Sequence, residues 1–254
     1  MGPSNAPPSA GSARHAASCV PTPLDDHAAV NAKPVAFEVP SIETNHASLS
    51  EPPGEGKAPG LIVVHEWWGV NDDIRAICDR FAAEGFLALA VDLYAGKVTE
   101  DPNEAMALLT DMKTERSMKV VAAAVDFLRA HPRSNGKVGI TGFCMGGAMS
   151  IAAACTVPGI GAAAPFYGIP RAEFVDFSAK RPPIQGHYGA NDGMILPDNV
   201  RAVAAKATGE SSFEVFFYEA GHAFMRAKDP SVYDEASSKL AWSRAVPFLQ
   251  QHLG

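Results

Sequence analysis

At 254 residues, with 47% hydrophobic and 19% charged side chains, the chain has the make-up of a soluble globular protein with a sizeable core. A net charge of −7 excludes the basic footprint of a nucleic-acid or anionic-membrane binder, and no apolar run approaches the roughly 18 residues of a membrane span. Four scattered cysteines (Cys19, Cys78, Cys144, Cys155) form neither a disulfide framework nor a CxxC or Cys/His metal spacing, so a reducing, cytoplasmic compartment is expected.

Residues 1–34 are rich in Pro, Ala, Ser and Gly, with few large apolar side chains to offset the entropy of ordering them. They lack the apolar stretch of a secretory signal and read as a disordered tail. From residue 35 to 254 one α/β domain is expected. Val35–Val39 alternates weakly and reads as an edge strand. Leu61–Glu66 is a continuous apolar run, typical of a strand buried on both faces.

Asn71 can cap a helix whose Ile74, Ile77, Cys78 and Phe81 fall at i, i+3, i+4, i+7 spacing, with Gly85 after its end. Phe86–Tyr94 is the next strand, followed by helices over 103–112 and 115–130. Residues 137–143 return to strand and 145–155 to helix. Strands then follow at 159–168, 183–189 and 212–222, with helices at 197–207 and 234–252. Such β-α-β-α alternation predicts a mostly parallel sheet with helices on both faces.

In sheets of this kind ligands bind beyond the carboxyl ends of the strands, where the reactive residues of this chain repeatedly fall. Glu66, Cys144, Asp192 and His222 each lie at or just past the end of an expected strand. Cys144 lies between Gly142 and Gly146 where strand gives way to helix. A nucleophile on so sharp a turn needs small residues two positions either side. The turn puts the thiol at a helix N-terminus, where the Met145 N–H can donate to an oxyanion and the dipole favours a thiolate. An unperturbed cysteine, with a pKa near 8.5, is only a few per cent thiolate at neutral pH and needs such help.

The order Cys144, Asp192, His222 is that of a nucleophile–acid–histidine triad, in which His222 moves the proton and Asp192 orients and stabilises the imidazole. Each residue also has a plainer reading: a small buried hydrophobe for Cys144, a turn residue for Asp192 in "GANDG", a strand-end carboxylate for Glu66. "HEWWG" puts Gly69 where a zinc HExxH motif needs its second histidine, so no metal is expected.

"GFCMGG", "GANDG", "EAGHAF" and the long segment beginning "VVHEWWGVNDD" together resemble the dienelactone hydrolase family (carboxymethylenebutenolidases) over roughly residues 35–253. The resemblance implies an α/β-hydrolase fold, a Cys144–Asp192–His222 triad, no cofactor, and hydrolysis of a small lactone or ester through an acyl-cysteine. It further implies that Glu66 interacts with the cysteine and takes part in its substrate-dependent activation, and that the Trp67 N–H is a second oxyanion donor. The arginines that hold a substrate carboxylate in the family match only loosely. Gly96 and Lys97 stand near one position, and Arg226 near the other. Lys97 lacks the bidentate fork of an arginine. Trp67 and Trp68 divide between pocket wall and core, and Tyr167 can face the site.

The expected partner is thus a small-molecule substrate of a monomer or small homo-oligomer. A broader carboxylesterase or thioesterase on the same triad is the alternative. A redox-sensing cysteine protein leaves Asp192 and His222 without a purpose, and a catalytically silent relative that only binds small acids is the remaining reading.

Overall fold

The computed structural model describes residues 31–254. Nearly all of the expected tail lies outside the described residues, but its boundary moves: the first strand, β1 (Lys33–Phe37), starts two residues earlier than expected. It is followed by β2 (Asn45–Ser50), β3 (Ala58–Val64), α1 (Asp72–Ala83), β4 (Leu87–Val91), α2 (Pro102–Asp111), α3 (Thr114–Ala130) and β5 (Ser134–Phe143). The second half runs α4 (Met145–Thr156), β6 (Ile160–Phe166), a short 3-10 turn (Ala172–Phe174), β7 (Ile184–Gly189), α5 (Pro197–Ala204), β8 (Phe213–Tyr218) and α6 (Glu235–Leu253).

The strands form one eight-stranded sheet in the order β1-β2-β4-β3-β5-β6-β7-β8. β1 and β2 pair antiparallel at one edge, and everything from β4 to β8 is parallel. β2 went unread in the sequence because its apolar alternation is limited to Ala47 and Leu49 among polar residues. Three of its polar side chains are buried and satisfied by neighbours. Asn45 donates to the Asp92 carbonyl (2.6 Å), Ser50 donates to Asp79 (2.6 Å), and Ser48 accepts from Arg75 (3.4 Å).

The apolar runs of the central strands are explained by burial on two faces. Ile62 and Val64 of β3, with Leu87, Leu89 and Val91 of β4, point into the layer holding Val121, Val125 and Leu128 of α3 and Met149 of α4. Leu61, Val63, Ala88 and Ala90 point the other way, against Ile74, Cys78 and Phe81 of α1 and Trp242 and Leu249 of α6. Successive residues of a strand face opposite sides, so both layers need apolar side chains. On the second face small alanines leave room for Phe81, which packs on Trp242 at 4.3 Å and on Phe86 at 6.1 Å. Aromatic pairs of this sort add about 0.5–1.5 kcal/mol beyond their area. α1 starts as expected, with Asn71 accepting from the Ile74 N–H at 3.1 Å. No helix among the described residues is long and apolar enough to cross a membrane.

Candidate active site

Six parallel strands end on one side of the sheet, and residues that follow five of them meet there. β5 runs into Cys144, which caps α4 with φ 54° and ψ −116°. A left-handed φ at a non-glycine residue costs about 1–3 kcal/mol, and the surroundings must hold it. Here the Cys144 N–H donates to the Phe166 carbonyl at 3.1 Å, and its own carbonyl accepts from Ala148 at 3.2 Å. The two flanking glycines let backbones touch. A Cβ on Gly142 would sit 2.3 Å from the Gly146 carbonyl oxygen, and one on Gly146 would sit 2.2 Å from that of Val64. Gly146→Ala is therefore expected to cost about 3 kcal/mol or more, since backbone on both sides cannot give way. A drop in melting temperature checks this, and an unchanged one would mean the turn is looser than it stands.

β7 leads to Asp192 and β8 to His222. Their loops are joined by the Asn191 N–H, which donates to the Ala220 carbonyl at 3.0 Å. Asp192 Oδ1 accepts from the Met194 and Ile195 N–H groups at 2.7 and 2.9 Å, leaving Oδ2 for His222 Nδ1 at 2.7 Å. His222 Nε2 lies 3.2 Å from Cys144 Sγ. Three residues separated by 48 and 30 positions thus form one hydrogen-bonded row.

Burial works against an imidazolium at His222, but its bonds and charges with Asp192 and Cys144 outweigh it, and the pKa is pushed up to about 10. Burial likewise disfavours the Asp192 carboxylate. His222 and the two backbone donors override this and hold its carboxyl below the usual range.

Glu66 follows β3 and is buried, not an exposed strand-end carboxylate. Burial pushes its pKa up, with Arg226 and Tyr167 opposing. The Tyr167 hydroxyl donates to Glu66 Oε1 at 3.1 Å, and Arg226 Nε lies 4.0 Å from Oε2. No hydrogen bond joins Glu66 to Cys144; the sulfur is held by His222 instead.

Tyr167 follows β6, stands edge-on to His222 at 5.2 Å, and is buried, so it supports Glu66 rather than lining an open surface. Trp68 is buried with Arg226 4.9 Å over its ring, and Trp67 is half-buried edge-on to it. Lys97 is exposed and lines a separate hollow of about 220 Å³ with His46, Arg75 and Asp92, which none of the triad residues lines.

Among the described residues, neither the Trp67 nor the Met145 backbone N–H has a hydrogen-bond partner. A nucleophile, a base in contact with it, an orienting carboxylate and two unused N–H groups are the parts an acyl-transfer site needs.

The sequence reading missed two buried groups nearby. His65, considered only as a zinc ligand, bonds to the Glu66 carbonyl and the Leu93 N–H. Tyr94 packs edge-on to His65 at 4.7 Å, and burial together with the charge of Cys144 raises its pKa. Their only signal in sequence is position: each lies within three residues of a buried strand's carboxyl end.

The model of the dienelactone hydrolase family matches residues 46–253. The chain belongs to the dienelactone hydrolase family. Membership places it among the carboxylic ester hydrolases. It is 40% identical over 205 residues to the protein usf of Aquifex pyrophilus, covering 77% of this chain and 89% of that one. A provisionally named carboxymethylenebutenolidase of Aquifex aeolicus is 34% identical over 209 residues, with the same shares covered. Among solved structures, a provisionally named dienelactone hydrolase of Klebsiella pneumoniae superposes with a TM-score of 0.73 at 28% identity. That match covers 87% of this chain and 99% of the other. The mostly parallel sheet is therefore the α/β-hydrolase fold of this family.

Proposed function

We propose that this family member hydrolyses a small lactone or ester through an acyl-cysteine on Cys144. The observation that carries the reading is the continuous row Cys144–His222–Asp192, with contacts of 3.2 and 2.7 Å. His222 Nε2 holds the proton given up by the thiol, as its raised pKa requires, and the sulfur adds to the substrate carbonyl. The resulting oxyanion is received by the Trp67 and Met145 N–H groups. Collapse expels the alcohol or enol oxygen, which takes the proton back from His222. Water, deprotonated by the same nitrogen, then attacks the thioester and restores the thiol.

Glu66 is assigned to the same site as a second carboxylate. While it is bonded to Tyr167 and Arg226, His222 alone holds the sulfur. Arg226, stacked over Trp68, is the cation placed to meet a substrate carboxylate, and Lys97 is not.

A broader carboxylesterase is the second reading, favoured by one observation. Gly96 brings no side chain and Lys97 turns to another hollow, while Met194 and Leu196 stand exposed beside the Asp192 loop. A redox sensor would have no use for an Asp192 held by three donors behind the histidine. The three cysteines among the described residues are free thiols, which suits a cytoplasmic setting.

The test follows loss of ultraviolet absorbance of cis- and trans-dienelactone beside hydrolysis of a p-nitrophenyl ester. Dienelactone turnover is the expected result. Ester turnover alone would keep the triad and move the substrate to the second reading, and silence on both would remove the hydrolase mechanism.

A further inference from the structure

His65 is fully buried, at the junction of β3 with the site loop, and both of its ring nitrogens are used. The Leu93 N–H, just beyond β4, can only donate, so the Nε2 it reaches at 3.1 Å is the bare nitrogen. The proton therefore sits on Nδ1, which donates to the Glu66 carbonyl at 2.5 Å. The Gly69 N–H reaches the same oxygen only at 3.4 Å.

That carbonyl belongs to the peptide unit whose N–H is that of Trp67. The unit is planar and trans, so its C=O and N–H point in opposite directions, and fixing one fixes the other. A strong bond at the oxygen also polarises the amide and makes its N–H a better donor. On the far side the backbone of Val64 and His65 lies against the start of α4. A Cβ on Gly146 would come within 2.7 Å of the His65 carbonyl oxygen. The His65 ring, pinned by Leu93 and edge-on to Tyr94, thus connects β4 to the peptide beside the cysteine turn.

We propose that His65 is the positioning residue of the oxyanion hole. Its Nδ1–H holds the Glu66 carbonyl inward so that the Trp67 N–H faces the oxygen of the carbonyl that Cys144 attacks. This rests on the acyl-cysteine reading above. Burial pushes the His65 pKa down, which keeps the ring in the neutral form the two bonds require.

Three variants separate this role from simple support. His65→Phe fills the space and removes both bonds. His65→Asn can place an amide N–H near the Nδ1 position and keep the bond to Glu66. His65→Gln can place an amide oxygen near the Nε2 position, keeping the bond from Leu93 but not the donor to Glu66. Losing one oxyanion donor costs on the order of 10²–10³ in kcat, and a misaimed one somewhat less.

On a p-nitrophenyl ester, His65→Phe and His65→Gln are expected to lose roughly tenfold to a hundredfold in kcat with KM within about twofold. His65→Asn is expected to recover most of kcat, although it gives up the Leu93 bond. Equal kcat in the Asn and Gln variants, or a fall that lies in KM, would overturn the proposal. Should His65→Phe not fold, the Asn and Gln pair decides the matter alone. Cys144→Ala run in parallel keeps the two levels apart. Full activity there sinks the acyl-cysteine reading itself, whereas its loss together with indifferent His65 variants sinks only the role of His65.

Discussion

Cys144→Ala is expected to lower ester turnover by roughly 10⁴-fold or more, because a nucleophile, unlike a binding contact, has no partial substitute in the site. Among the described residues, its sulfur is the hydrogen-bond partner of His222 Nε2, the atom that handles the proton. Cys144→Ser is the sharper variant. It keeps the turn at φ 54°, the bond to Phe166 and a hydroxyl facing His222, so the architecture is preserved and only the nucleophile changes. A serine hydroxyl is a much weaker acid than a thiol and must give up its proton as it attacks.

In Cys144→Ser, His222 also loses the sulfur as the charged partner that helps raise its pKa. Turnover is expected to fall by at least about 10²-fold, within the range that removing general-base assistance produces. Mass spectrometry of wild type mixed with an activated ester should show the acyl group on Cys144. Near-wild-type rates in the serine variant, or an acyl group on another residue, would mean the thiol is not the attacking group.

The fold was largely legible because its core strands are buried on two faces. A run such as "LIVVH" or "FLALAV" has few other stable placements than the middle of a parallel sheet. The hydrogen-bonded row was legible for a related reason: Cys144, Asp192 and His222 each sit just past such a run, so locating the strands locates the residues. β2 was not legible, because its buried polar side chains are matched by Asp79, Arg75 and Asp92, residues far away in the chain that no local pattern reveals.

The surroundings of Glu66 were hidden in the same way. The apolar run placed Glu66 at a strand end and only the resemblance tied it to the cysteine, while its partners Tyr167 and Arg226 depend on side-chain direction in two other segments. Lys97 shows the converse. It follows β4 and shares the end of the sheet with the triad, yet the turn through Ala95 and Gly96, both at positive φ, carries it into another hollow.

Asp192→Asn is expected to reduce kcat by about 10⁴-fold with the protein still folded. The loop decides which way the new amide faces. The Met194 and Ile195 N–H groups require an acceptor, so the amide oxygen stays with them and the NH₂ is turned to His222. Nδ1 must then accept, the ring proton moves to Nε2, and the nitrogen facing Cys144 can no longer take its proton.

The same substitution tests the electrostatics by stability. His222 has a folded pKa of about 10 against an ordinary 6.5. Its contribution is therefore complete below about pH 6.5 and is lost as pH rises through about 10. Asp192 is lowered from 3.8, so its contribution is present above that value and is lost as pH falls through the folded pKa. The melting-temperature gap between wild type and Asp192→Asn should thus be widest from about pH 4 to 6.5, narrow from there to about 10, and level off beyond it at the smaller difference left by the carboxylate's bonds to the Met194 and Ile195 N–H groups. A gap independent of pH would mean that the variant disturbs packing rather than the ion pair. In that case a fall in kcat would no longer identify Asp192 as the residue that sets the imidazole tautomer.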